Sequence, residues 1–273
     1  MKVLFCGDIV GRAGRDVVIK EVPRLRRELG LDFVAVNGEN AAAGFGITAK
    51  ICAELHEAGV DCITTGNHVW DQREIVPYIA QDKRLLRPVN FPPGTPGWGA
   101  NLFQTARGQK VVVINVMCRL FMDALDDPFR AVDAELAKYG LGGTANFILV
   151  DVHGEATSEK QSIGHYCDGR VSAVLGTHSH VPTSDCWILP GGTAYQTDVG
   201  MCGDYDSVIG MDKEEPLRRF LTKIPGERFA PADGAATLSG LAVEVDDATG
   251  LAQAVAPLSL GGVLPETIPP FWA

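Results

Sequence analysis

Eight side chains of types that bind metal ions or move protons stand out along the chain: Asp8, Glu39, Asn40, Asn67, His68, His153, His178 and His180. Carboxylates, amide oxygens and imidazoles together suit a pair of first-row ions such as iron, manganese, zinc or cobalt, and no thiolate is placed among them. Two metals need a bridge. A carboxylate can span the roughly 3.5–4 Å between such ions, so Glu39 or Asp8 could bridge them while a hydroxide forms the second link. In Thr177-His178-Ser179-His180 an extended backbone would put both imidazoles on one side, because side chains alternate along a strand, and each could address one metal.

Position separates these residues from ordinary polar ones. Each falls at or just beyond the C-terminal end of a short apolar run that reads as a buried strand. Val3 to Gly7 leads to Asp8, Phe33 to Asn37 to Glu39 and Asn40, and Cys62 to Thr65 to Asn67 and His68. Phe147 to Val152 leads to His153, and Val171 to Gly176 to His178 and His180. Ligands of open α/β sheets bind beyond that edge, where loops from several strands converge. Taken singly, Asp8 or Asn67 would be a common turn residue. Convergence carries the reading, because four of the six histidines lie at strand ends beside amides or carboxylates. His56, on an expected helix, and His165, between Gly164 and Tyr166, read as ordinary surface or half-buried side chains.

The elements that must position the site follow from periodicity. Gly14 to Leu29 has helical spacing despite Pro23, Thr48 to Ala58 reads similarly, and so does Asp127 to Tyr139, where Asp127 is an N-cap and Pro128 the first helical residue. Helices alternating with apolar runs, including one at Val111 to Val116, argue for an α/β protein with largely parallel strands. Hairpins are expected from Trp98 to Val116 around Gly108, and from Thr237 to Leu260 around Asp246 to Gly250. Mixed strands of this kind suggest two sheets packed face to face and flanked by helices. One domain over 1–273 is expected, with a proline-rich tail at 261–273 that ends in Phe271, Trp272 and Ala273 and either packs back on the body or contacts a partner chain.

Composition narrows the function. A chain of 273 residues with 46% hydrophobic and 21% charged residues can bury a sizeable core. Its formal net charge of −10 disfavours wrapping a long nucleic acid, since that affinity comes from Lys and Arg neutralising phosphates. A small anion is still allowed, because bound metals supply local positive charge. No signal-peptide pattern opens the chain and no apolar stretch approaches the roughly 20 residues of a membrane span, so a cytoplasmic location is expected. Seven cysteines without a C-x-x-C pair argue against a disulfide framework or a structural zinc site. Gly7, Gly11 and Gly14 do not make G-x-G-x-x-G, no Gly-Lys-Ser/Thr follows, and no G-x-S-x-G elbow occurs, which removes dinucleotide, P-loop and serine-nucleophile readings.

The set Asp8, Gly38-Glu39-Asn40, Gly66-Asn67-His68, His153 and His178-Ser179-His180 resembles the calcineurin-like metallophosphoesterases. Asp8-Ile9-Val10 replaces the usual Asp-x-His, and Glu39 stands where a bridging aspartate is expected. Both departures resemble the YmdB-like bacterial branch, as do Gly38-Glu39-Asn40-Ala41-Ala42, Arg87-Pro88-Val89-Asn90-Phe91-Pro92, Glu155-Ala156-Thr157-Ser158-Glu159-Lys160 and Thr197-Asp198-Val199-Gly200-Met201. The resemblance runs to about Leu260. Asp204 replaces an expected proline, which points to the loop from Met201 to Met211 as a place where the pocket differs.

The resemblance implies a two-sheet sandwich flanked by helices, and a phosphodiesterase acting on 2′,3′-cyclic mononucleotides with two divalent or mixed-valence metal ions, iron or manganese leading. It assigns Asp8, Glu39, Asn40 and His180 to one metal, Glu39, Asn67, His153 and His178 to the other, and His68 to proton donation. Asn40 in place of a histidine would make the first metal's ligands harder. In the expected mechanism a metal-bridging hydroxide attacks phosphorus in line. Arg119 and Arg170 are the arginines considered for a phosphate clamp. Rival readings are a phosphoprotein phosphatase or nuclease on the same site, and a metal-dependent nucleotide-binding regulator without turnover. The tail and the C-terminal hairpin could contribute a homo-oligomer interface.

Overall fold

The computed structural model describes residues 1–224 and 226–272. In chain order they form β1 (Lys2–Val10), α1 (Gly11–Leu29), β2 (Phe33–Asn40), α2 (Ala49–Glu57), β3 (Cys62–Thr64), α3 (Ile75–Ile79), β4 (Ala100–Gln104), β5 (Lys110–Met117) and α4 (Pro128–Leu136). There follow β6 (Phe147–His153), α5 (Thr157–Cys167), β7 (Ala173–Thr177), β8 (Trp187–Ile188), β9 (Ala194–Gln196), β10 (Met201–Asp204), α6 (Glu214–Thr222), β11 (Ala236–Val245) and β12 (Ala252–Leu260).

The strands make two mixed six-stranded sheets, ordered β12-β11-β10-β1-β2-β3 and β4-β5-β6-β7-β9-β8. In the first, β10, β1, β2 and β3 are parallel; in the second, β5, β6, β7 and β9 are. Both expected hairpins form, with β4 antiparallel to β5 and β11 to β12. The helices expected at 14–29, 48–58 and 127–139 are α1, α2 and α4. Thr48 caps α2 through the Ile51 N–H, and Asp127 caps α4 through the Phe129 and Arg130 N–H groups. Helix α1 begins earlier, at Gly11, and carries Pro23 within it.

Alternation along each strand builds the layers. Val3 and Phe5 of β1 pack with Phe33 and Ala35 of β2, and with Val111, Phe147 and Leu175 of the other sheet. Leu4 and Cys6 face away, onto Val18 and Val22 of α1 and Ile51 and Leu55 of α2. Ile114, Val150 and Val174 of the second sheet likewise pack on Val132 of α4 and Ile163 of α5. Strands covered on both faces must be apolar throughout, which is why they read as continuous runs. The described part of the tail packs back: Thr267 pairs with Ser259, and Trp272 joins the core on the α1 side. Ala273, the last residue of that expected tail, lies outside the described residues. No described helix is long and apolar enough to cross a membrane. None of the seven cysteines is paired, and six are buried.

Candidate metal centre

The parallel strands of both sheets deliver their C-terminal ends to one edge of the sandwich, and all seven expected ligands meet there. Strands β1 and β2 run further than the apolar runs suggest, so Asp8, Glu39 and Asn40 lie within them, and His153 closes β6. Register shifts on either side of Asp8, in the pairing of β1 with β2, re-aim its side chain as a bulge does. Asn67 and His68 follow β3, and His178 and His180 follow β7.

Around His153 the donors converge. Its Nε2 lies 3.1 Å from Glu39 Oε1, 3.0 Å from Asn67 Oδ1 and 3.1 Å from His178 Nδ1. The far side of each ring decides which nitrogen carries the proton. Thr177 Oγ1 donates to Asp151 Oδ1 at 2.7 Å, so it accepts at 2.9 Å from His153 Nδ1–H and leaves Nε2 facing the cluster. His178 Nε2 is 3.4 Å from Glu155 Oε2, which leaves Nδ1 for the cluster. His180 Nδ1–H donates to the Ile209 carbonyl at 2.7 Å, leaving Nε2 3.2 Å from Asn40 Nδ2 and 3.9 Å from Asp8 Oδ1.

This donor set fits cations. Asp8 Oδ1 and Asn40 Oδ1 are buried without a hydrogen-bond partner among the described residues, a condition that costs free energy unless something positive meets them. Glu39, His153 and His178 each offer an atom within 4.8 Å of the others. The electrostatics agree. Burial alone would raise the Glu39 carboxyl, but His153 and the His68 N–H hold it at about 2. Burial alone would depress His153, but Glu39 and Asp8 push it up to about 9, so the cluster draws positive charge to its centre. Burial and His153 together drive His178 down to about 3, and burial raises Asp8 and takes Asp151 to about 6.

The expected extended backbone through His178 and His180 is not what forms. Strand β7 ends at Thr177, and His178 and His180 have φ of 101° and 64°. Positive φ is strained for residues other than glycine, so their common orientation comes from a turn, not strand alternation. A buried ion pair braces that turn: Lys160 Nζ donates to the Thr177 carbonyl at 2.6 Å and to Asp198 Oδ2 at 2.9 Å. Asp198 also accepts from the Ser179 N–H and Oγ–H, at 3.0 and 2.7 Å. Lys160 and Asp198 stand in two of the stretches that carry the family resemblance. The strand-end pattern does not single out Asp151 or Thr177, although a carboxylate inside the apolar run Phe147 to Val152 is a readable signal.

His68 flanks the cluster. Its backbone N–H donates to Glu39 Oε2 at 3.1 Å, and its Nδ1 is 2.8 Å from Asp71 Oδ2, which leaves Nε2 as the exchangeable ring nitrogen. A cavity of about 440 Å³ opens beside it. Glu39, Asn40, His68, His178 and His180 are among its polar lining, and Phe45, Ile209, Met211, Phe220 and Phe229 among its apolar lining. The loop from Met201 to Met211 thus shapes this pocket, and Asp204 within it accepts from the Asp206 and Gly234 N–H groups. Neither arginine considered for a phosphate clamp lines the cavity: Arg170 is held by Asp133, and Arg119 lies 3.9 Å from Asp127. His56 packs between the Val60 carbonyl and Asp82, and His165 is exposed.

Comparison with known proteins bears on this geometry. A family model described as YmdB-like protein matches residues 4–258. A 2′,3′-cyclic-nucleotide 2′-phosphodiesterase of Bacillus subtilis (strain 168) is 50% identical over 252 residues, covering 91% of this chain and 93% of the relative. The crystal structure of a novel phosphatase of Mycoplasma pneumoniae superposes with a TM-score of 0.86 at 32% identity, covering 100% of this chain and 95% of that chain. A calcineurin-like phosphoesterase, YfkN from Bacillus subtilis, matches with a TM-score of 0.54 at 12% identity, over 96% of this chain and 90% of that chain, which is a likeness of fold.

Proposed function

The chain belongs to the family of YmdB-like proteins, and on that premise we propose that it is a two-metal phosphodiesterase that hydrolyses 2′,3′-cyclic mononucleotides. The observation that carries this reading is the convergence of Glu39, Asn67 and His178 donor atoms within 3.1 Å of His153 Nε2, beside the partnerless oxygens of Asp8 and Asn40. Asp8, Glu39, Asn40 and His180 would hold one ion, and Glu39, Asn67, His153 and His178 the other, with iron or manganese suited to these ligands. Two bound ions supply Lewis acidity toward phosphoryl oxygens and lower the pKa of a bound water.

The chain's own groups do the rest. His68 Nε2 is the proton donor to the ribose oxygen that leaves, a role worth typically 10²–10⁴-fold. Asp71 orients it through Nδ1. The Thr177–Asp151 pair, Glu155 and the Ile209 carbonyl fix the ring orientations of His153, His178 and His180. The substrate named for the Bacillus subtilis relative supports the cyclic nucleotide as substrate here.

The test is metal content and hydrolysis of a 2′,3′-cyclic nucleotide in wild type, Glu39→Ala and His68→Ala. Glu39→Ala is expected to lose metal and activity together. His68→Ala is expected to keep its metal and lose about 10²–10⁴-fold in kcat. Full metal and full activity in Glu39→Ala would remove the bridging role, and an unchanged rate in His68→Ala would remove the proton donor.

A further inference from the structure

The lining of the cavity beside the metal centre is of two kinds. Its charged and hydrogen-bonding side chains are Glu39, Asn40, His68, Glu155, His178, Ser179 and His180. The rest is apolar and comes from three separate stretches: Phe45 from the loop after β2, Ile209 and Met211 from the loop after β10, and Phe220 and Phe229 from α6 and the segment after it. Two of these apolar side chains are unusually open to solvent for their type, Phe220 at 71% and Ile209 at 54%. Exposed apolar surface continuous with a polar site marks a place where a ligand completes the packing.

We propose that this apolar wall is the nucleobase subsite, with Phe220 as its outer stacking platform. The inference rests on the hydrolase reading above. A cyclic nucleotide carries its phosphate and its base on the same ribose, so a base must lie next to the leaving-group side of the phosphate. As the proposed donor to the leaving oxygen, His68 would lie on that side, and its ring meets that of Phe45 edge to face with centroids 5.1 Å apart, so the wall begins where the ribose would be. Gln72 fixes the Phe45 carbonyl at 2.8 Å. A Cβ on Gly46 would come within 2.8 Å of that same Gln72 side chain, so the loop can hold Phe45 in this way only with glycine there.

The wall's chemistry sets its selectivity. Phe45 and Phe220 offer a base π-faces, and Val208, Ile209 and Met211 offer apolar contact, while the Arg219 guanidinium caps Phe229 at 4.0 Å from its ring centroid and Arg228 lies 5.5 Å from that of Phe45. Apart from the weak thioether acceptor of Met211, these lining side chains have no donors or acceptors for the Watson–Crick edge. Stacking of this kind tolerates every base, because each has a π-face. The site therefore takes nucleotides as a class and does not read which one. Discrimination falls on esters that lack a base.

The experiment compares manganese-loaded wild type, Phe220→Ser and Phe220→Trp on four substrates, the 2′,3′-cyclic phosphates of adenosine, guanosine, cytidine and uridine, and on ethylene phosphate, a five-membered cyclic ester without a base. Phe220 is exposed, so its replacement leaves folding intact. In Phe220→Ser, KM for each nucleotide is expected to rise about tenfold, and kcat/KM for nucleotides relative to ethylene phosphate to fall by the same factor. Phe220→Trp is expected to keep the wild-type KM. Equal losses on nucleotides and ethylene phosphate, no change on any nucleotide, or a wild-type preference among bases above about 100-fold would each overturn the subsite. Should wild type hydrolyse none of these esters, the hydrolase reading falls, and calorimetric binding of adenosine 3′-monophosphate to the loaded protein decides the subsite. Binding about tenfold weaker in Phe220→Ser supports it, and equal or absent binding overturns it.

Discussion

Gly66→Ala should disable the metal centre without altering a single proposed ligand. A Cβ at residue 66 would lie 2.2 Å from His153 Cδ2 and Nε2 and 2.4 Å from Glu39 Oε2, where ordinary contact begins at 3.4 Å. The backbone φ there is not positive, so the cost is steric alone. Little can yield. Thr65 beside it is tied at Oγ1 to the Leu86 carbonyl at 2.8 Å and at its N–H to Asn115 at 3.3 Å, and the His153 ring is held from behind by Thr177. Relief therefore needs His153 and Glu39 to move by about 1 Å. Forcing one extra carbon into a packed site costs typically 1–3 kcal/mol, equivalent to a melting temperature lower by roughly 2–10 °C for a chain of this size. Losing a group that merely orients a ligand weakens metal binding by about 10–100-fold, so displacing two ligands is expected to reach the upper end of that range. Calorimetric metal titration of stripped protein, with thermal unfolding of the same samples, measures both. A Gly66→Ala protein that binds metal with wild-type affinity would refute the view that residue 66 must lack a side chain for the centre to form.

Two further substitutions probe groups behind the ligands. Thr177→Val keeps the shape but removes the acceptor for His153 Nδ1–H and the donor to the buried Asp151; metal affinity should fall about 10–100-fold and stability by roughly 1–3 kcal/mol, read by the same titration and by denaturant unfolding. Lys160→Met leaves the Asp198 carboxylate, itself 0% exposed, without its cation. Breaking a buried pair in this way costs about 3–5 kcal/mol, whereas Lys160→Met combined with Asp198→Asn should recover part of that loss. A single variant as stable as the wild type would show that the pair does not brace the turn at His178 to His180.

The residues of the proposed centre were legible in the sequence because of how their scaffold is buried. Strands covered on both faces read as apolar runs, so the polar residues that end them, Asp8, Glu39 and His153 among them, stood out against that background. The two hairpins and the helices α1, α2 and α4 were legible for a similar reason, since each carries its own turn or cap signals. Other features depend on the assembled fold. Strands β8, β9 and β10 have only two to four residues each, too few to show a period. The reversal at His178 and His180 is a backbone state that neither residue type announces, so alternation along a strand gave a common orientation for the wrong reason. The apolar wall is assembled from Phe45, Ile209, Phe220 and Phe229, which are brought together only when the loops after β2 and β10 and helix α6 fold against one edge. The arginines considered from sequence, Arg119 and Arg170, are instead paired with Asp127 and Asp133 away from the cavity.

The most direct measurement is turnover of 2′,3′-cyclic adenosine monophosphate by one preparation of the wild-type protein, assayed as metal-loaded, after chelator stripping, and after return of manganese or iron. Turnover by the loaded form, its loss on stripping and its recovery with about two ions per chain are the results expected of a site built from these seven ligands. Undiminished turnover in fully stripped protein, or none in protein carrying two ions per chain, would contradict it.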